Sequence, residues 1–160
     1  MKLLCCGDRH WTNKERIREI LISYPSDTVV IEGEASGADK LCKEVAKSLG
    51  MTVIPVPADW NKYGKAAGPI RNKLMLDMGP VEVIAFHNDF KNSKGTKNCI
   101  MQARQRGIRT LVITEKEDKV SSLEQLSHVL DGMTPEQIKG FDEDTKRRPL
   151  FGKEKEEVNK

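Results

Sequence analysis

The chain has 160 residues, of which 38% are hydrophobic and 32% charged, and this composition is typical of one globular domain with its own apolar core. The formal net charge is only +3, which disfavours a nucleic-acid partner because domains that bind nucleic acids usually present a strongly basic face. The apolar runs are too short to span a bilayer and no signal-peptide pattern precedes them, so we expect neither a membrane protein nor a secreted one.

Five short apolar runs predict β-strands. Each run is continuous rather than alternating with polar residues, which is typical of strands that helices cover on both faces of a parallel sheet. In chain order the runs are Lys2–Cys6, Thr28–Ile31, Thr52–Val56, Val81–Phe86 and Thr110–Ile113.

Amphipathic segments separate these runs and predict helices. Before the first of them, Thr12 and Glu15 have the spacing of a capping box, which predicts Thr12 as the residue that caps the helix N-terminus. Apolar positions recur at helical spacing within Ile17–Tyr24, Leu41–Leu49, Ile70–Met78 and Cys99–Ala103.

The alternation of strands and helices predicts an α/β fold, a three-layer Rossmann-like domain with a parallel sheet of about five strands and helices on both faces. We assign this domain to residues 1–115. Two further capping boxes predict a short helical extension over residues 116–140. Residues 141–160 are dense in charge, which predicts a mobile tail.

Ligands of open parallel sheets bind beyond the carboxyl ends of the strands, so the loops that follow the strands are the candidate site. The first loop contains Gly7, Asp8 and Arg9; the glycine allows a sharp turn, and the arginine could bind a phosphate or carboxylate or simply lie on the surface. The second loop leads into a helix whose N-terminal N–H groups could bind an anion. Alternatively, Ser36 and Asp39 of this loop could serve only as caps of that helix. The candidates in this second loop are Gly33, Ser36, Gly37 and Asp39.

The third loop combines aromatic and basic residues at the end of a strand. Trp60 and Tyr63 lie close to Lys65 and Gly68, and an aromatic face beside a cation suits a nucleotide base next to a phosphate. The alternative is a structured surface loop that Trp60 anchors to the core.

Pro69 fits the first position of the following helix. This placement predicts that Arg71 and Asn72 lie in the first helical turn, near the ends of the strands. Their side chains are therefore candidates for ligand contacts.

The fourth loop again opens a helix. Gly95 and Thr96 offer a close backbone approach and a hydroxyl group at the predicted N-terminus, which suits a second phosphate contact. His87 could act as a general base, or it could only form a local hydrogen bond.

The four cysteines follow no metal-binding or disulfide spacing. Reduced thiols are typical of the cytoplasm, so we expect a cytoplasmic protein without a bound metal or cofactor.

The motifs together resemble the YspA (cpYpsA-related) family of the SLOG superfamily, from about Lys2 to Thr114. The resemblance rests on the Gly7-Asp8-Arg9 turn, the loop 33–39, Pro57-Ala58-Asp59-Trp60, Tyr63-Gly64-Lys65, Ala67-Gly68-Pro69-Ile70-Arg71-Asn72 and Gly95-Thr96. It implies a Rossmannoid domain that binds nucleotides or nucleotide-derived ligands. Relatives in the superfamily include LOG-type phosphoribohydrolases, which cleave the base from a nucleoside 5′-monophosphate, and DprA, a single-stranded DNA binder.

The resemblance to the LOG-type enzymes also suggests roles for single residues. Arg71 corresponds to the arginine of their Arg-Lys-x-x-Met stretch, and it would hold the phosphate together with Arg9. Lys97, Asn98 and Cys99 follow Thr96, where those enzymes carry a catalytic glutamate. Glu34 and Asp59 are therefore the candidate carboxylates for cleavage of an N-glycosidic bond. Gly37, Gly95 and Thr96 would supply backbone contacts, and Trp60 or Tyr63 would stack on the base.

Three hypotheses follow. The first is an enzyme that cleaves an N-glycosidic bond in a nucleotide, and the second is a non-catalytic module that senses a nucleotide-derived ligand with the same loops. The third, a single-stranded nucleic-acid binder, is disfavoured by the mild charge and few aromatic residues. Relatives are often homodimers, so the resemblance also allows a homodimer.

Overall fold

A computed structural model describes residues 1–116 of the chain, and its centre is a parallel five-stranded sheet in the order β3-β2-β1-β4-β5. The strands are β1 (Lys2–Gly7), β2 (Val29–Glu32), β3 (Thr52–Pro55), β4 (Glu82–Phe86) and β5 (Arg109–Ile113). The helices are α1 (Lys14–Leu21), α2 (Ala38–Ser48), α3 (Trp60–Tyr63), α4 (Ala67–Asp77) and α5 (Gly95–Gln105), with short 3-10 turns at Gly64–Ala66 and Phe90–Asn92. The predicted α/β Rossmann-like fold is confirmed.

Two apolar cores lie on opposite faces of the sheet, and β1 contributes to both. Leu3 and Cys5 pack among the side chains of α1 and α2, whereas Leu4 and Cys6 pack among those of α4 and α5. Successive side chains of a strand point to opposite faces, so a continuous apolar run is what a strand between two helical layers requires.

The first helix begins one residue later than the capping box predicts. Its N-cap is Asn13, whose side-chain oxygen accepts a hydrogen bond from the Arg16 N–H at 3.0 Å. The Nε1–H group of Trp11 donates to the Asn13 carbonyl oxygen at 2.9 Å and holds the backbone of the cap. The prediction of Thr12 was wrong because asparagine caps a helix as well as threonine does.

The third loop is largely helical. Asp59 caps α3 by accepting a hydrogen bond from the Lys62 N–H at 3.0 Å, and a 3-10 turn then joins α3 to α4. Because α4 begins at Ala67, Pro69 is its third residue rather than its first, and Arg71 is its fifth. Proline is tolerated there because the first N–H groups of a helix have no intrahelical partner.

The order of the strands reverses between β1 and β4, which creates a crevice at their carboxyl ends. The chain passes from β1 outward to β3 and then crosses to β4 on the other side. Gly7 ends β1 so close to β4 that a Cβ atom would lie 2.2 Å from the Phe86 carbonyl oxygen. A topological switch point of this kind is where open α/β sheets bind ligands.

Residues 117–160, which include the predicted tail and nearly all of the predicted helical extension, lie outside the described residues. Among residues 1–116, no helix is long and apolar enough to cross a membrane.

Candidate functional site

Two adjoining cavities open at the carboxyl edge of the sheet. The inner cavity, of about 320 Å³, lies at the switch point between the loops after β1 and β4 and the N-terminus of α5. The outer cavity, of about 570 Å³, lies between the loops after β2 and β3 and the start of α4. Both volumes fall in the range of small-molecule sites.

Three cationic side chains line both cavities and mark the boundary between them: Arg9 after β1, Arg71 on α4 and Lys94 before α5. Within residues 1–116, the side chains of Arg9 and Lys94 form no hydrogen bond or ion pair. Two cations without a protein partner beside a third make this boundary, hereafter the cationic boundary, suited to an anion.

Arg71 is held in place from two directions. Its guanidinium donates to the Gly33 carbonyl oxygen through Nη1 and to Asn72 Oδ1 through Nε, at 3.1 Å in the second case. Buried Asn72 in turn donates to the Gly95 carbonyl oxygen at 3.3 Å and to Asn98 Oδ1 at 3.1 Å. The loop after β2 and the start of α5 therefore fix the arginine before any ligand binds.

The N-terminus of α2 is occupied by the protein itself. The Ala38 N–H donates to the Asp8 carbonyl oxygen at 3.0 Å, and a Cβ atom on Gly37 would lie 2.4 Å from the Asp8 and Arg9 carbonyl oxygens. Gly37, at φ +75°, thus allows close backbone packing of two loops. By contrast, Gly95 and Thr96 at the N-terminus of α5 line the inner cavity, where the dipole of α5 favours negative charge.

Asp39 is buried behind Gly33, whose N–H donates to its carboxylate at 3.0 Å. Burial raises the pKa of Asp39 to about 6, against the opposing effects of the Arg71 charge and the Gly33 hydrogen bond. The carboxylate therefore carries its charge at neutral pH and faces the inner cavity beside Arg71.

A second acidic residue, Glu32, was not predicted from the sequence. It ends β2, is fully buried, and accepts a hydrogen bond from the Glu34 N–H at 2.6 Å. Burial raises the pKa of Glu32 to about 7. A glutamate directly after the apolar run Thr28–Ile31 was the available signal, because a strand buried on both faces rarely ends in an unpaired acid.

Glu34 lines the outer cavity in an unusual backbone conformation. Its φ is +57°, the only positive φ of a non-glycine residue among those described, and such strain concentrates at functional sites. Its carboxylate forms an ion pair with Lys43, which lowers the pKa of Glu34 below its usual value. The carboxylate is therefore ionised at neutral pH.

His87 lies at the end of β4 and lines the inner cavity. Its Nδ1 accepts a hydrogen bond from the Asp89 N–H at 3.0 Å, and burial lowers the pKa of His87. In the neutral ring the proton is assigned to Nε2 from this hydrogen bond, so Nε2 is the free donor.

Trp60 and Tyr63 are both exposed, but of the two only Trp60 lines either of the two cavities described above. The indole of Trp60, 56% exposed, borders the outer cavity and contacts the start of α4, where a Cβ atom on Gly68 would lie 3.4 Å from its ring. Tyr63 has Lys62 Nζ 5.0 Å from its ring centroid.

The structure brings together most of the residues predicted from the sequence. The inner cavity is lined by Gly7, Asp8, Arg9, Asp39, Arg71, Asn72, His87, Gly95 and Thr96, and the outer cavity by Arg9, Gly33, Glu34, Trp60, Lys65, Gly68, Arg71 and Gly95. Ser36, Gly37, Asp59 and Tyr63 line neither. Sequence reasoning missed Lys94, although it directly precedes the predicted Gly95-Thr96 contact. Among the described residues, no cluster of three or more His, Cys, Asp or Glu side chains could hold a metal ion.

Comparisons with known proteins agree with this fold. The profile of the YspA, cpYpsA-related SLOG family matches residues 1–63. The chain is similar to the Gene 61 protein of Mycobacterium phage D29, with 31% identity over 124 residues that cover 72% of this chain and 98% of the phage protein.

Among solved structures, the fold is similar to that of DNA processing protein A (DprA) from Streptococcus pneumoniae. The TM-score is 0.59 at 16% identity, and the match covers 90% of this chain and 56% of that chain. This chain thus spans little more than half the length of DprA, and the likeness is one of fold.

Proposed function

Because this chain belongs to the YspA, cpYpsA-related SLOG family, we propose that its two cavities bind a nucleotide-derived ligand whose phosphate occupies the cationic boundary. The single observation that carries this proposal is the convergence of Arg9, Arg71 and Lys94 on the wall that the cavities share. A phosphate there would gain charge-assisted hydrogen bonds from side chains that otherwise have few or no partners.

The N-terminus of α5 adds to the attraction. Gly95 lines both cavities. Of the N–H groups in the first helical turn, which lack intrahelical partners, that of Lys97 donates to Ser93 Oγ at 3.1 Å, so those of Gly95 and Thr96 remain for an anion. Their dipole contributes about 0.3–1 kcal/mol toward an anion at this position.

The outer cavity suits the base. Trp60 offers an exposed aromatic face beside Lys65 and the cationic boundary, and a base stacked on an aromatic ring gains about 1–3 kcal/mol. The ligand would then extend from Trp60, through its sugar, to a phosphate at Arg9 and Arg71.

A thermal-shift screen tests the proposal. The purified full chain is heated with each of the common nucleoside 5′-monophosphates, with nucleotide sugars and with inorganic phosphate. A ligand that binds only the folded state raises the melting temperature by mass action, and at least one nucleotide should do so more strongly than phosphate. No shift with any nucleotide at millimolar concentration would contradict the proposal.

A second candidate function, hydrolysis of an N-glycosidic bond, is favoured by Glu34. Its ionised carboxylate and strained backbone border the outer cavity, where the sugar of the ligand would lie. In this reaction water attacks C1′, the C1′–N bond breaks with its electron pair on the base, and the proton lost by water ends on the base. An ionised carboxylate can accept a hydrogen bond from the attacking water and stabilise the positive charge that develops at C1′.

Chromatography of released base separates the two functions. If the chain is an enzyme, Glu34→Gln should abolish release while the affinity for the ligand largely persists. Asp59→Asn is the matched control, because asparagine also caps α3 and Asp59 lines neither cavity; this variant should keep its activity. If the wild-type chain binds the ligand without releasing base, the protein is a non-catalytic ligand-binding module.

A further inference from the structure

The inner cavity extends beyond the cationic boundary and differs from it in charge. Apart from Arg9, Arg71 and Lys94, its charged lining residues are the carboxylates Asp8 and Asp39. A phosphate placed deeper in this space, beyond the three cations, would face these acidic side chains, which repel it.

The polar groups of the inner cavity are those that recognise hydroxyl groups. One Asp8 carboxylate oxygen accepts the His10 N–H at 2.9 Å, which leaves the other available as an acceptor. His87 offers its Nε2–H, and the buried Thr96 offers a hydroxyl group that can donate or accept.

These groups are also rigidly placed. The Asp8 N–H donates to the Phe86 carbonyl oxygen, and the His87 N–H donates to the Ile113 carbonyl oxygen, both at 2.9 Å. The two residues therefore leave the sheet side by side from neighbouring strands, and a site on such elements is preorganised.

We propose that the inner cavity is a second subsite for a hydroxyl-bearing group, such as a sugar, that is joined through phosphate to the nucleotide in the outer cavity. This inference rests on the proposed function and names the class of its ligand: a nucleotide sugar or a similar two-part ester of diphosphate, whose two phosphates would both lie at the cationic boundary. A mononucleotide with its base at Trp60 and its phosphate at the cationic boundary leaves the inner cavity to water.

Isothermal titration with a matched ligand series tests the subsite. AMP, ADP and ADP-ribose form one series, and UMP, UDP and UDP-glucose form another. In the series whose base binds, the sugar-bearing member should bind at least about tenfold more tightly than the diphosphate, which corresponds to about 1.4 kcal/mol. Equal affinities of the diphosphate and its sugar ester would overturn the inference while the proposed function stands. Failure of every member to bind, together with no thermal shift for any nucleotide in the wider screen, would overturn both.

Two variants locate the subsite. His87→Asn keeps an acceptor for the Asp89 N–H but removes the Nε2 end of the ring, and Asp8→Asn keeps the acceptor for the His10 N–H. Each should lower the ratio of the two affinities toward one. Trp60→Ala should weaken both ligands and keep their ratio. A ratio that survives in both His87→Asn and Asp8→Asn would contradict the placement of the sugar.

Discussion

The Arg71 guanidinium donates a hydrogen bond to the Gly33 carbonyl oxygen, and a Cβ atom on Gly33 would lie only 2.4 Å from Arg71 Nη1. The glycine is therefore what allows the arginine of α4 to dock on the loop after β2. The same Cβ atom would lie 2.8 Å from Asp39 Oδ2. The position of Arg71 and the burial of Asp39 therefore both depend on glycine at position 33.

Gly33→Ala should displace Arg71 and weaken ligand binding at least about tenfold, with an overpacking cost of about 1–3 kcal/mol in the free energy of unfolding. Calorimetric titration and urea denaturation measure the two effects. Gly95→Ala is the control for stability, because its added Cβ atom would meet nothing within 4 Å. Unchanged affinity in Gly33→Ala would show that the docked position of Arg71 is not needed.

Glu32 should make the stability of the protein depend on pH. Its pKa rises from 4.5 to about 7 on folding, so the native state binds the proton more tightly than the unfolded state. The free energy of unfolding is therefore highest below pH 4.5, as far as this group is concerned, and falls as the pH rises toward 7.

Urea denaturation at pH 5 and pH 8 measures this contribution. Glu32→Gln should reduce the loss of stability between these pH values by about 2 kcal/mol relative to the wild type. Asp39, whose pKa also rises on folding, contributes in the same direction in both proteins, so the difference measures Glu32 together with its repulsion by the Asp39 charge. An identical pH dependence of the two proteins would refute the role of Glu32.

Tyr24 contacts Glu82, the first residue of β4, whereas the cavities lie at the carboxyl ends of the strands. A substitution at Tyr24 therefore tests whether a loss of stability by itself lowers the ligand affinity. Its hydroxyl group donates to Glu82 Oε2 at 3.0 Å in the protein interior. Tyr24→Phe should cost about 1–3 kcal/mol of unfolding free energy and leave the ligand affinity unchanged. A loss of affinity in this variant would indicate that the site responds to stability in general rather than to its own residues.

Salt distinguishes a small ligand from a single-stranded nucleic acid. If binding rests on contacts with many phosphates, raising the salt concentration from 50 to 200 mM should lower the affinity by about 10³–10⁵. If one phosphate binds at the cationic boundary, the same change in salt should lower the affinity only a few-fold. Fluorescence anisotropy of a labelled single-stranded oligonucleotide, beside titration of the nucleotide, makes the comparison. Tight oligonucleotide binding with the steep dependence would favour the nucleic-acid alternative.

The sequence predicts the layers of this fold well for two reasons. Strands that are buried on both faces appear as continuous apolar runs, and the helices between them show apolar residues at helical spacing. It predicts Arg71 through the family resemblance, since the motif Ala67-Gly68-Pro69-Ile70-Arg71-Asn72 is distinctive. The short helix α3 escapes prediction because four residues are too few to show a period.

Other features depend on long-range contacts that no local pattern records. Lys94 joins Arg9 and Arg71 only because the sheet brings the loops after β1 and β4 together. The placement of Asp59 as a cap of α3, outside both cavities, likewise follows from the path of the chain after β3. The catalytic role predicted for Asp59 from the sequence is tested by Asp59→Asn, which should keep its activity if the position outside both cavities decides the role.

The central claim, that the cationic boundary binds the phosphate of a nucleotide, is tested most directly by calorimetric titration of Arg9→Ala with the nucleotide that gives the largest thermal shift. Arg9 makes no hydrogen bond or ion pair within residues 1–116, so its removal should spare the fold. The matched control is Arg18→Ala on α1, where the lost guanidinium donates to the exposed Ser48 hydroxyl at 3.2 Å and lines neither cavity. We expect the affinity to fall at least about tenfold in Arg9→Ala, about 1.4 kcal/mol, and to stay at the wild-type value in Arg18→Ala. Equal affinities in the two variants would contradict the claim.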